Sequence, residues 1–118
     1  MAQKYIIGDV VMYNNEVHTI IDILASNGYE LSYVRHPVSP LRLSGVPITP
    51  EILEKNGWKV SSECRWIYVK EDNVKIFRLL DDIHYAAYIG FVRLLEFQHI
   101  HQLQHLLFGL GLNSEMEV

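Results

Sequence analysis

The sequence has little of what marks a secreted, membrane-spanning or disulfide-bonded protein. Among its 118 residues there is a single cysteine, Cys64, which excludes an internal disulfide and cannot by itself form a thiolate zinc site. The longest apolar runs are a few residues long, far below the ~20 residues that cross a bilayer. The N-terminal segment lacks the apolar core of a signal peptide. We therefore predict a cytoplasmic protein that does not enter the membrane.

Positive charge is also scarce. Lys and Arg number 10 against 14 Asp and Glu, which gives a formal net charge of −4 and a pI near 5.8. Non-specific binding to nucleic acid depends on Lys and Arg that neutralise phosphates, and no basic cluster stands out in the sequence. We therefore expect a protein partner, keep single-stranded nucleic acid as a weaker alternative, and leave homo-oligomer formation open.

The common catalytic motifs are missing as well. The sequence contains no glycine-rich phosphate loop, no Gly-x-Ser-x-Gly elbow and no Cys-x-x-Cys pair. It therefore predicts no cofactor and no catalytic residue, and it favours a non-enzymatic protein. The hydrophobic content of 49% is too high for a disordered chain and is ample for a folded domain.

Proline placement divides the chain, because all four prolines fall within residues 36–50. Residues 1–36 alternate short apolar runs with Asn- and Gly-containing turns, which predicts strands over 10–13, 17–23 and 29–34. We interpret this part as a small SH3-like β half-barrel. Residues 37–50 are then a proline-rich connection.

Residues 51–118 predict a helix, an antiparallel β-meander and a C-terminal helix packed on the sheet, so the fold class is α+β. Thr49 as N-cap and Pro50 as first helical residue start the first helix. Strands are expected over 64–70, 74–80, 84–92 and 93–100, although 84–92 is also compatible with a helix. A leucine stripe predicts the last helix over 100–110, followed by a frayed tail over 113–118.

The last helix carries the candidate binding residues. His101 and His105 lie four residues apart and share a helix face, as a metal-binding pair does. On a helical wheel of 100° per residue with Ile100 at 0°, His101 falls near 100° and His105 near 140°, whereas the leucine stripe lies near 290°. We therefore expect both histidines to point away from the core. A zinc-protease helix needs a glutamate general base where this chain has Gln102. Metal binding by this pair, or a metal-dependent hydrolase built on it, is therefore an alternative hypothesis only.

Gln102 and Phe108 complete this candidate surface. We expect Phe108 to be half-buried beside the barrel-like module or covered by another molecule. Three further groups have ordinary structural interpretations. Asp81, Asp82 and His84 read as a turn, and Cys64 as a small apolar residue. The tyrosines of the first module, Tyr5, Tyr13, Tyr29 and Tyr33, read as half-buried sheet residues rather than a docking surface for peptides or nucleic acid.

Two segments resemble a known group of proteins. Val46–Trp58, with its Pro-Ile-Thr-Pro-Glu-Ile-Leu-Glu-Lys-Asn-Gly-Trp run, and His99–Leu110, with His-Gln-Leu-Gln-His, are similar to a family of small uncharacterised prophage and mobile-element proteins of gut anaerobic bacteria. The resemblance covers roughly residues 5–112. Ile48 stands where the family usually has Leu, and His99-Ile100 where it has Tyr-Val. The resemblance implies a fold and a genomic setting and transfers no catalytic residue. We therefore expect an accessory or interaction protein of a phage or mobile element.

Overall fold

The computed structural model describes residues 5–26, 28–70 and 73–118. Within these ranges the chain forms nine strands, one short 3-10 helix over Pro40–Arg42 and two α-helices. The strands are β1 (Val10–Tyr13), β2 (Glu16–Ile23), β3 (Tyr29–Leu31), β4 (Ser44–Gly45), β5 (Lys59–Val60), β6 (Ile67–Val69), β7 (Val74–Arg78), β8 (Tyr85–Ile89) and β9 (Val92–Phe97). The helices are α1 (Pro50–Lys55) and α2 (Ile100–Gly109).

The strands form two antiparallel sheets, which confirms the α+β class. The first sheet has the order β3-β2-β1-β4 and the second the order β5-β6-β7-β8-β9. The described residues form no closed barrel, so an SH3-like architecture for the first sheet stays a prediction. None of the described helices is long and apolar enough to cross a membrane.

Local turn chemistry explains the first sheet. Asn14 and Asn15 join β1 to β2 with φ values of 50° and 64°, and a two-residue turn of this type needs two positive φ angles. The predicted turn at 26–28 includes Asn27, which lies outside the described residues. The third strand was expected to reach residue 34, but it ends at Leu31 because Tyr33 takes a φ of 63° and turns the chain.

The proline-rich connection is more ordered than expected. Ser39 caps the 3-10 helix, and the proline-free residues 44–45 then form β4 on the edge of β1. Beyond β4, the backbone nitrogen of Ile48 donates to Gln98 (3.0 Å), and the backbone nitrogen of Ile100 donates to Val46 (2.9 Å). These bonds join the residues after β4 to the residues after β9, so they link the two sheets.

The first helix is confirmed at both ends. The Thr49 hydroxyl accepts a hydrogen bond from the Ile52 nitrogen (3.2 Å), and Pro50 occupies the first helical position. Asn56 forms the C-cap, and Gly57 follows with a φ of 91°, a conformation that suits glycine. Local sequence therefore sets both ends of this element.

The strands predicted for the second sheet are present, but their predicted bounds are too wide: 64–70 is reduced to β6 and 74–80 to β7. The uncertain segment 84–92 is strand rather than helix over β8, but a turn at 90–91 follows and Val92 already belongs to β9. The predicted turn over 71–73 falls largely outside the described residues. The two-residue strand β5 was not predicted, because it is too short to show an alternating pattern.

Two apolar clusters stabilise the fold. The larger one joins α1, α2 and one face of the second sheet, and its fully buried members include Leu53, Ile76, Tyr85, Phe97, Ile100 and Leu103. The smaller one lies within the first sheet and includes Tyr5, Val11, Ile20, Tyr29 and Leu31. Helix α2 contacts both β1 and β9, so it lies where the two sheets meet.

The expectation of a frayed C-terminal tail is wrong. The Asn56 side chain donates to the Glu117 carbonyl (2.8 Å) and accepts from the Glu117 nitrogen (2.7 Å). The Lys55 ammonium donates to the Val118 carbonyl (2.9 Å), and Met116 packs on the larger cluster. The tail is held by helix α1, a contact between residues about sixty positions apart that local sequence does not reveal.

A substitution at Gly45, which lies against His99, tests the link between the two sheets. A Cβ added there would lie 2.5–2.9 Å from His99 atoms, including the His99 Cβ itself, which a rotamer change does not move. We expect Gly45→Ala to lower the free energy of unfolding by about 1–3 kcal/mol, measured by urea denaturation. Gly109→Ala is the control, because no atom lies within 4 Å of its added Cβ and Ala is the better helix former. Equal stability of both variants would contradict the close contact.

Candidate functional site

The predicted binding residues on α2 do not form one exposed surface. Gln102 closes the start of the helix: its side-chain oxygen accepts hydrogen bonds from the backbone nitrogens of Gln98 and His99 (3.0 Å each). This is the reciprocal arrangement of a capping box. The Gln102 side chain therefore stabilises the helix start, and its oxygen is already engaged.

His101 is buried, so the prediction that it points away from the core is wrong. It is 5% exposed, and its ring centroid lies 4.9 Å from that of Tyr5 and 5.7 Å from those of His99 and His105. The helical wheel located the leucine stripe correctly. It could not show that the first sheet covers the opposite side of the helix, because Tyr5 lies 96 positions earlier in the chain.

His105 forms the most unusual contact of the helix. Its Nε2 lies 2.6 Å from Oδ2 of Asp9, which is 1% exposed. The same carboxylate oxygen accepts from the Ile6 nitrogen (2.9 Å). Burial raises the pKa of Asp9, and the hydrogen bonds from Ile6 and His105 oppose that shift. The pair links β1 to α2 through a partly desolvated, hydrogen-bonded contact.

An Asp–His pair orients the imidazole in many hydrolytic sites, but there a nucleophile is hydrogen-bonded to the same ring. Among the described residues, His105 hydrogen-bonds to Asp9 and to no serine, threonine or cysteine. The geometry therefore accounts for a structural role of this pair and gives no support for nucleophilic catalysis.

Gln104, which the sequence analysis did not single out, is the most deeply integrated polar residue of the helix. It is 3% exposed. Its Oε1 accepts from the Val10 nitrogen (2.8 Å), and its Nε2 donates to the carbonyls of Gly8 (2.9 Å) and Ser114 (3.1 Å). One side chain thus satisfies backbone groups of β1 and of the tail. Its place on the polar side of the helix was visible in the sequence, but its partners were not.

The metal hypothesis gains no support from this arrangement. His105 Nε2 already contacts Asp9. Among the described residues, no three His, Cys, Asp or Glu side chains are grouped so that they could hold a metal ion.

Phe108 is 66% exposed, so the expectation that it is half-buried beside the first module is wrong. It lies in the last turn of α2, beyond the residues that contact the sheets. The other expectation, that another molecule covers it, stays a prediction.

The Asp81–His84 segment is a turn, as expected. Asp81 Oδ1 accepts from the nitrogens of Ile83 (3.0 Å) and His84 (2.9 Å), and Oδ2 lies 2.6 Å from His84 Nδ1. The backbone hydrogen bonds from His84 and Ile83, followed by the His84 side chain, lower the pKa of Asp81 to about 2. The Asp81 carboxylate in turn raises the pKa of His84.

Cys64 and the tyrosines show no grouping typical of a site. Cys64 is partly exposed and has no disulfide partner. Tyr5, Tyr13 and Tyr29 are buried, while Tyr33 is fully exposed. The tyrosines were expected to be half-buried, but three of them belong to the smaller apolar cluster. They therefore do not form a docking surface.

A groove of about 670 Å³ lies between the first sheet and the C-terminal tail. His18, Ser32 and Lys55 are among its lining residues. His18 Nδ1 is hydrogen-bonded to the Ser32 carbonyl (2.8 Å), and the Lys55 ammonium donates to Val118. These polar groups already serve the fold, so the groove presents no evident set of groups for a ligand.

Two surfaces of the second sheet were missed by the sequence analysis. The first is the end of the β8–β9 hairpin, here called the apolar tip. It consists of Ile89 (38% exposed), Phe91 (104%), Val92 (63%) and Leu94 (36%). The sequence predicts these residues as the inside of strands, because it indicates no turn between the strands expected over 84–92 and 93–100.

The second surface is the sheet face that carries no helix, here called the open face. Tyr68, Ile76 and Ala87 are in register and belong to the larger cluster, so the alternate rows face the other way. One such row is Lys59, Val69, Lys75, Tyr88 and Arg93; the next is Ile67, Phe77, Ala86 and Glu96.

No protein-family model matches the chain, and neither curated proteins nor solved structures give a significant match.

Gln104 provides a direct test of how the helix is attached. Gln104→Leu keeps the approximate size of the side chain but leaves its three backbone partners without their hydrogen bonds. Because an unsatisfied buried group costs about 1–3 kcal/mol, we expect the free energy of unfolding to fall by about 2–4 kcal/mol in urea denaturation. Gln98→Leu is the control, because the Gln98 side chain bonds to His99 rather than to the backbone. A Gln104 variant no less stable than the Gln98 variant would contradict this role.

The Asp81–His84 pair predicts a defined pH dependence. The ordinary pKa values are 3.8 for Asp and 6.5 for His. The lowered Asp81 pKa stabilises the fold above about pH 4, an effect lost as pH falls toward 2. The raised His84 pKa stabilises it below about pH 6.5, an effect lost as pH rises through the folded value. NMR titration should give His84 a pKa above 6.5 that drops in Asp81→Asn; an unchanged pKa in that variant would contradict the pairing.

Proposed function

We propose that this chain is a non-enzymatic, cytoplasmic interaction protein that docks onto a protein partner through its apolar tip. The exposure of Phe91 at the end of a hairpin, flanked by three further apolar side chains, is the observation that carries the proposal. Aromatic side chains that insert into a partner's pocket are frequent anchors of protein–protein interfaces.

The shape of β9 favours docking by side chains over the addition of a strand. The register between β8 and β9 shifts between Ala87 and Tyr88, which leaves Leu94 as an extra residue on β9. A bulge of this kind disrupts the ladder and is a common way to prevent edge strands from pairing with other chains. The apolar side chains at the tip, rather than the backbone of the edge, are therefore the features available to a partner.

The size of the tip favours a different protein over a second copy. Its four residues expose on the order of 500 Å². Two tips in contact would bury at most about 1,000 Å², which is only the lower limit of a specific interface. A concave pocket on a different protein could surround the hairpin end and bury additional surface along its sides.

The resemblance of Val46–Trp58 and His99–Leu110 to prophage and mobile-element proteins adds a setting to the proposal. An accessory protein of such an element that works by binding another protein needs no catalytic set. The SH3-like architecture expected for the first sheet is also part of this proposal. The strand order β3-β2-β1-β4 is that of an open sheet, so it is proposed as a half-barrel and not as a closed barrel.

Photo-crosslinking can test the docking site in the cells that naturally make the protein. Benzoylphenylalanine at position 91 replaces one aromatic ring by another, and the same residue at Tyr33, which is 100% exposed, is the matched control. We expect position 91, and not position 33, to give one adduct with a defined second protein. With that protein purified, Phe91→Ser should weaken the Kd by about 10- to 100-fold, whereas Tyr33→Ser should change it less than twofold.

Both variants should keep the wild-type melting temperature, since each changes an exposed side chain. An adduct with the mass of two copies of this chain would overturn the proposal in favour of self-association. The absence of an adduct at position 91, or equal adducts at 91 and 33, would overturn it as well.

A further inference from the structure

We infer that the open face of the second sheet binds single-stranded nucleic acid. This inference is independent of the proposed docking site, because it rests on the sheet face rather than on the hairpin end. The observation behind it is an aromatic pair, Phe77 and Tyr88, on a face whose strand residues carry three cations and one acid.

The cations stand in one line across the sheet. Lys59 pairs with Val69, which pairs with Lys75; Lys75 pairs with Tyr88, which pairs with Arg93. Adjacent strands are about 4.8 Å apart, so the row crosses five strands over about 19 Å. A row of this length can contact a few successive phosphates of one nucleic acid strand, with Lys59, Lys75 and Arg93 as the cations.

The positive charge of this face is largely unopposed within the sheet. Lys59, Lys75 and Arg93 are exposed, and Glu96 is the acid in the neighbouring row. Arg93 Nη2 lies 2.5 Å from Glu96 Oε2, so Arg93 contributes less than the two lysines. The net charge of −4 does not describe this face, because some of the acidic residues lie in other elements, among them Glu51 and Glu54 in α1 and Glu115 and Glu117 in the tail. Asp81 is closer, since it bonds to His84, whose pKa is also raised by Glu96.

The aromatic pair supplies the second part of the site. The ring centroids of Phe77 and Tyr88 lie 4.7 Å apart with an interplanar angle of 50°. Both side chains are partly exposed, and neither belongs to an apolar cluster. Bases stack on such rings without sequence preference, and cations beside them contact the phosphates; together these are the elements of a single-strand binding surface.

The two helices leave this face accessible. The buried residues of α1 and α2 pack with Tyr68, Ile76 and Ala87 on the opposite side of the sheet. A strand of nucleic acid can therefore reach Lys75 and Tyr88 without displacing either helix.

Fluorescence anisotropy with labelled 12-mers of oligo(dT) and oligo(rU) tests the inference on the full chain. We expect saturable binding at 50 mM salt. With two or three phosphate contacts, raising the salt to 200 mM should weaken the Kd by about 7- to 20-fold. A duplex of the same length should bind at least tenfold more weakly, because its bases are not free to stack on the rings.

Variants separate this surface from general electrostatics. Lys75→Glu should weaken the Kd by tenfold or more, and Tyr88→Ala should do the same through lost stacking. Arg42→Glu is the matched charge control on the 3-10 helix, and Phe91→Ser is the control at the apolar tip; each should change the Kd less than twofold. If Tyr88→Ala proves unfolded by circular dichroism, Lys75→Glu, an exposed substitution, still decides the outcome.

Three results would overturn the inference. One is the absence of saturable binding at 50 mM salt with up to 100-fold excess of protein over the labelled strand. Another is equal affinity for single strand and duplex. The third is an equal loss of affinity in Lys75→Glu and Arg42→Glu.

Discussion

The attachment of helix α2 to the beginning of β1 is the contact on which the rest of the structure depends. The apolar stripe of α2 packs on the second sheet. The other side of the helix faces β1 and the residues that precede it, so its polar groups are shielded from water. Gln104 and His105 resolve this by hydrogen-bonding to Val10, Gly8 and Asp9. Because buried polar groups are costly unless paired, these bonds also fix the position of the helix relative to β1. The two sheets thereby keep a defined arrangement around one short helix.

Features set by neighbouring residues were predictable from the sequence. The Thr49–Pro50 cap, the Asn14–Asn15 turn and the leucine stripe of α2 each depend on a few adjacent side chains, and each was found where expected. The errors share another cause. Tyr5 covers His101, and Asn56 holds Glu117, contacts that span roughly 60 to 96 positions. A helical wheel reports one apolar side. It does not report whether a second sheet covers the polar side, so both histidines were placed in solvent.

The same limitation concealed the surfaces that now carry the functional proposals. The apolar tip exists because a turn at Gly90–Phe91 brings out side chains that look like strand interior in the sequence. The open face exists because Lys59, Lys75 and Arg93 are aligned by strand pairing, although up to 34 positions separate them. The extra residue at Leu94 contributes to both, since it keeps Arg93 and Glu96 on one side of the sheet. None of these relations follows from composition.

Net charge was the main argument against nucleic acid binding. The fold shows that this argument applies to the molecule as a whole and not to a single face of it. A total of −4 sets the long-range field of the molecule and slows the approach of a polyanion. At contact, however, binding depends on charges within about a Debye length, ~8–10 Å at moderate salt. Helix α1, which packs on the opposite side of the sheet, carries Glu51 and Glu54, and the tail bonded to it carries Glu117, whereas Glu96 remains close to Arg93. Affinity at this face therefore depends on whether two lysines and an aromatic pair outweigh a repulsive average, and raising the salt weakens the contacts of the lysines with phosphates while leaving base stacking on Phe77 and Tyr88 in place.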